Sequence, residues 1–102
     1  MAEHTSLDEL PEETHAEVFE AHRPRTVRLT LEQGEKIPAH THPGMDIVLH
    51  LVSGHLELSL DDETVDVHPG ELVQFSGERD ISPRAVDDST AVLVFAPAPT
   101  SE

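Results

Sequence analysis

Two histidines one residue apart, His40 and His42, sit within the stretch "GEKIPAHTHPGMDIVLHLVSG", between a proline-marked entry and a long apolar run. Side chains two apart on a strand point the same way, so such a pair can converge on one ion. Neutral imidazole ligates Zn, Cu, Ni and Fe, and two imidazoles with one carboxylate make the open facial site of non-haem Fe(II) enzymes. Asp46 or Asp80 would complete that ligand count and leave positions for substrate or water. The alternative for His40 and His42 is a polar pair hydrogen-bonded to each other or to water. For the two aspartates it is a solvated carboxylate on a chain already crowded with them.

Other chemistries find less support. The chain has no cysteine, hence no thiolate ligand, thiol nucleophile or disulfide. None of its serines has a Gly-x-Ser-x-Gly setting. No residue stands out as a general base, since a histidine that ligates a metal is not free for proton transfer. His50 interrupts the run "IVLHLV" with the parity of Asp46 and Val48, which places it on the outer face, against a second subunit or another sheet. His55 and His68 flank turns and read as surface residues, while His4, His15 and His22 carry no chemical signal.

The elements that must position these residues are strands. In "RTVRLTLEQG", Val27, Leu29 and Leu31 share one face and Arg28, Thr30 and Glu32 the other, a period of two. The stretches "HAEVFEA", "DIVLHLVSG", "HLELSLDDETVDVHPG", "ELVQFSG", "RDISPRAV" and "TAVLVFAP" continue this pattern, and the third of these holds a hairpin with "DDE" at its tip. About eight short strands separated by turn signals predict an all-β sandwich or barrel. Prolines at 24, 38, 43, 69, 83 and 97 punctuate every candidate helix. We expect a flexible acidic segment over 1–14, one β-barrel domain over 15–96 and a disordered tail over 97–102.

These residues resemble the cupin family, small double-stranded β-helix (jelly-roll) barrels whose interior often holds one metal ion. The first family motif is Gly, five residues, His-x-His, three or four residues, Glu, six residues, Gly. Gly34, His40, His42, position 47 and Gly54 reproduce its spacing. The second motif is Gly, five residues, Pro-x-Gly, two residues, His, three residues, Asn, and Gly70 begins its counterpart in "GELVQFSGERDISPRA". The resemblance implies a jelly-roll fold and a site for a divalent transition metal (Fe, Mn, Ni, Zn or Cu) held by His40, His42 and Asp46. By strict spacing, however, the Glu position is Ile47 and the second His position is Ile81. A one-residue slip, or a β-bulge near Met45 or Gly77, would bring Asp46 or Asp80 into those places. Ile47, Leu49, Gln74, Asp80 and Ile81 are the residues expected to line the pocket.

Composition narrows the function classes. At 102 residues the chain has the size of one domain, and 21 acidic against 6 basic residues give a formal charge of −15. That surface repels nucleic-acid phosphates and resembles the halophilic composition of proteins from salt-loving microbes. No stretch has the length of a membrane span or the pattern of a signal peptide, so a cytoplasmic location is the default. A small, largely apolar pocket suits a small organic ligand better than a sugar. The apolar outer parity of "DIVLHLV" suggests a homodimer. Two functions stay open. One is a non-catalytic binding or sensing barrel with a degenerate metal site, towards which Ile47 and Ile81 tilt the reading. The other is a metal-dependent dioxygenase or isomerase.

Overall fold

The computed structural model describes residues 2–20 and 24–98; Met1, His22 and the end of the expected tail, residues 99–102, lie outside the described residues. After a 3-10 turn over Leu7–Glu9 the chain forms β1 (His15–Glu17), β2 (Arg25–Leu31), β3 (Met45–Leu60), β4 (Glu63–Val67), β5 (Leu72–Ser76) and β6 (Ile81–Pro97). All pairings are antiparallel and form one path, β1-β2-β6-β3-β4, with β5 on the other side of β3. Among the described residues no helix is long and apolar enough to cross a membrane.

Among the described residues six strands replace the expected eight because two of them are double length. β3 joins "DIVLHLVSG" to "HLELSL", and β6 joins "ISPRAV" to "TAVLVFAP". Each bends midway, so that the shared path folds into two facing halves. In one half, β3 residues 46–50 lie between β5 and the C-terminal part of β6, which continues to β2 and β1. In the other, β3 residues 56–60 lie between β4 and the N-terminal part of β6. The all-β jelly-roll class expected from the pattern is the one observed.

The bend has a local cause. The β3–β6 register slips between Leu51 and Ser53, again before His55, and again before Leu56. Buried positions switch accordingly from Ile47, Leu49 and Leu51 to Leu56, Leu58 and Leu60. A slip of one residue reverses which face of a strand points inward, so the apolar set stays in the core on both sides of the corner. Gly54 sits at the corner with φ of 93°, and a Cβ there would overlap the Asp88 carbonyl and the Ser89 hydroxyl. Ser89 ties the two strands, its Oγ accepting from the His55 N–H at 3.0 Å.

Two polar braces hold the periphery. Arg28 is buried on the outer side of β2, where its guanidinium donates to the carbonyls of Leu7 at 2.9 Å and Pro11 at 2.6 Å. It thereby draws the N-terminal segment across the sheet. At the β3–β4 tip, Asp61 has φ of 55°, and its carboxylate accepts from Arg79 Nε and from the Asp80 N–H, both at 2.9 Å. The Asp80 amide and the Arg79 guanidinium hold that carboxyl below its ordinary pKa.

Gly54 and Gly70 separate backbone conformation from crowding. Both have positive φ, but nothing lies within 4 Å of a Cβ placed on Gly70. Denaturant melts of Gly70→Ala should show a loss of about 1–2 kcal/mol, the cost of the left-handed conformation alone. Gly54→Ala should lose clearly more, because the corner must also open.

Candidate functional site

A cavity of about 440 Å³ lies between the two facing halves. Its walls are Val27 and Leu29 of β2, Ile47, Leu49 and Leu58 of β3, Phe75 of β5, and Ile81, Leu93 and Phe95 of β6. The loop from Ile37 to His42 crosses its mouth. Inward positions of a strand recur every second residue, and each half supplies one inner face, so a barrel too wide for its side chains to fill leaves this apolar space.

His40 and His42 reach the cavity from that loop rather than from a regular strand. His40 forms an isolated bridge to Ile81, its N–H donating to the Ile81 carbonyl at 3.1 Å and its own carbonyl accepting from the Ile81 N–H at 2.8 Å. The His42 N–H donates to the Gly77 carbonyl at 2.7 Å, and the Gly77 N–H donates to the Met45 carbonyl at 2.7 Å. A side chain at Gly77 would overlap the His42 carbonyl, so the absence of a Cβ lets the two backbones meet. The two imidazoles meet edge to face with centroids 4.9 Å apart, and His42 meets Phe95 the same way at 5.0 Å. His40 Nδ1 lies 2.9 Å from the Pro38 carbonyl, to which it donates, leaving Nε2 as the acceptor in the neutral ring.

Two further basic residues complete the polar end. His15 of β1 is set opposite Leu29 and lines the rim. Arg25, the first residue of β2, lines it as well, with its guanidinium carbon 5.1 Å from the Phe95 ring centre. Its Nε and Nη2 donate to one oxygen of Glu17 at 2.9 and 2.6 Å. Burial lowers the pKa of His42 below the ordinary 6.5, and the charges of His40, Arg25 and His15 push it in the same direction. His15 is lowered likewise, first by burial, then by His40 and Arg25. Arg25 did carry a sequence signal, since it shares the parity of Val27, Leu29 and Leu31, the buried face. His15 carried none, because its place depends on how β1 pairs with β2.

The structure brings His40, His42, Ile47, Leu49 and Ile81 to one cavity and puts Asp46, Gln74 and Asp80 elsewhere. Asp46 is the neighbour of inward-facing Ile47 and has the opposite parity, opposite Ser76 and Ala96. Gln74 is exposed and set opposite outward Val48. Asp80 is exposed, its backbone paired with Asp61. Among the described residues no three His, Asp or Glu side chains are arranged to hold one ion. The residues present therefore do not fit a metal centre with three protein ligands, and the guanidinium at the same rim would repel a dication.

The cupin domain model matches residues 27–97. The chain belongs to the cupin family. This cupin is similar to the TT1209 protein of Thermus thermophilus, with 25% identity and a TM-score of 0.78 over 96% of this chain and 100% of that one. It is also similar to a conserved double-stranded β-helix protein from Klebsiella pneumoniae, with 18% identity and a TM-score of 0.81 over 95% and 86% of the two chains. KdgF from Halomonas sp. matches at 23% identity and a TM-score of 0.71 over 86% and 84%. No curated protein matches the chain significantly.

The lowered histidines give this cupin a pH signature. With folded pKa values below 6.5, His15 and His42 resist protonation while the unfolded chain accepts it. Their contribution to stability is present above pH 6.5 and is lost as the pH falls through the folded values. Thermal midpoints should therefore fall below pH 6.5, and His15→Gln/His42→Gln should flatten that part of the profile. Gly77→Ala should shift the amide resonances of the His40–Met45 loop and lower the midpoint, because the His42 carbonyl must move.

Proposed function

We propose that this protein is a non-catalytic cupin that binds or senses a small organic molecule in the cavity between its two halves. The observation that carries the reading is the cavity wall itself. Ile47 and Ile81 stand where the family motifs would place two ligands, and both line the space with carbon. A concave, mostly apolar site with a few convergent polar groups is the usual form of a small-molecule site. Among the described residues no three side chains form a metal centre, and the two motif positions are hydrocarbon, so binding is supported better than turnover.

A second copy of the chain is part of this reading. The outward face of β3, β5 and β6 carries Val48, His50, Leu72, Gln74, Val92 and Val94 as register neighbours, and Leu72 is 64% exposed. On a chain of charge −15, a patch without a formal charge is where a like-charged copy can approach. Light scattering after size exclusion should give twice the chain mass, and Leu72→Glu should give the monomer.

Ligand-observed NMR with a library of small apolar fragments tests the binding reading. Hits should bind wild type, and Leu58→Phe, which pushes a ring into the cavity from β3, should weaken them at least tenfold while the circular dichroism stays that of a β protein. Elemental analysis should accompany it, on tag-free protein purified in high salt without chelator beside His40→Ala/His42→Ala. We expect equal, sub-stoichiometric metal in both. Near-stoichiometric metal lost in the variant would instead establish a metal site and sink the non-catalytic reading.

A further inference from the structure

The rim of the cavity and the surface of the chain have opposite electrostatic character. The chain carries 21 Asp and Glu residues, yet among the described residues none lines this cavity. Four basic side chains do, namely His15, Arg25, His40 and His42, all at one end. A second cleft runs the opposite way: Asp8, Glu12, Glu13, Glu32 and Glu35 line it around Arg28. A random draw from so acidic a chain would have put carboxylates in both. The interior space is thus walled by apolar side chains, Leu58, Phe75 and Ile81 among them, with basic groups gathered at its mouth.

That pattern sets the chemistry of a ligand. A cation would meet Arg25 and gain nothing from the walls. A sugar or other polyol would leave most of its hydroxyls against carbon, without partners. A neutral hydrocarbon would satisfy the walls but not use the donors at the mouth. The arrangement is satisfied by a molecule with an apolar body and one anionic end. Arg25 is placed for such an end: its Nε and Nη2 are engaged by Glu17, while its Nη1 makes no hydrogen bond among the described residues. The imidazoles of His15 and His42 add donors that reorient with tautomer, and a planar guanidinium matches the two oxygens of a carboxylate. The volume, about 440 Å³, lies in the range of small-molecule sites.

Resting on the small-molecule reading above, we propose that the ligand is a compact apolar monocarboxylic acid, its hydrocarbon body against Ile47, Leu49 and Leu58 and its carboxylate at Arg25 and the histidines of the mouth. The guanidinium selects the charge, and the walls select the body. Glu17 holds Arg25 at the rim without entering the cavity, so a carboxylate from solution joins the guanidinium on its remaining edge.

Isothermal titration with three matched probes tests this: 3-phenylpropanoate, 3-phenylpropanamide and 3-phenylpropylamine, at pH 7.5 and moderate salt. The acid should bind at least tenfold more tightly than the amide, and the amine more weakly than either. In Arg25→Gln the acid should lose its advantage and bind no more tightly than the amide, with circular dichroism reporting an intact fold. Equal affinity of acid and amide for wild type would overturn the carboxylate assignment while leaving the cavity a binding site. Failure of all three probes, together with an empty fragment screen, would overturn the binding reading and this inference with it. The acid-to-amide ratio is read within the wild-type protein, so a poorly folded variant cannot decide the matter.

Discussion

The antiparallel ladder between β3 and β6 is the interaction on which the rest of the molecule depends. It runs from Met45 opposite Pro97 to Leu60 opposite Ile81, through a corner where the register slips and Gly54 lies against Asp88 and Ser89. Each half of that ladder is the seam to which other strands attach: β5, β2 and β1 on one side of the corner, β4 on the other. Because the same two strands belong to both halves, neither half can shift without the other. The space between them is the cavity, lined from both halves. Phase matters as much as hydrogen bonding here. Without the slip near Gly54, Leu56, Leu58 and Leu60 would face water and the second wall would not form.

The mouth of that cavity is held by backbone contacts and tuned by charge. The loop bearing His40 and His42 is attached to Ile81, the first residue of β6 in the second half, and to Gly77, which bonds in turn to Met45 of the first. His15 and Arg25 come from the edge of the first half. The basic end is thus assembled across the gap, from groups that repel one another and are kept together by the fold. The ion pair of Arg25 with Glu17 and its position over Phe95 offset part of that repulsion. Burial first, and the neighbouring charges after it, lower the pKa values of His15 and His42.

The same barrel hosts unrelated activities, so chemistry has to be read from side chains and not from the fold. Ile47 and Ile81 are decisive in that respect. Strict motif spacing makes them the counterparts of two ligands, and both are buried, at 1% and 4% exposure, with their side chains lining the cavity. The orientation that would aim a carboxylate and an imidazole at an ion here aims two branched hydrocarbons into the cavity. A slip that would bring Asp46 inward is opposed by its regular pairing with Ser76 and Ala96, since Ile47 would then have to leave the core.

Much of this was legible in the order of residues. Alternation over two positions marked the strands, the glycine and histidine spacings marked the barrel, and the "DDE" turn marked the hairpin at Asp61. Motif spacing marked Ile47 and Ile81 as inward, and parity then put Leu49 on the same face and His50 on the other. These are short-range properties, decided by a backbone whose side chains alternate whatever lies beyond. Only the tertiary structure decided that eight apparent strands are six, that Arg28 is buried beneath the N-terminal segment, and that His15 and Arg25 join His40 and His42. Those outcomes depend on pairings between residues far apart in the chain, such as His15 with Leu29 or His42 with Gly77, and a local pattern carries no information about which distant partner a strand or loop will meet.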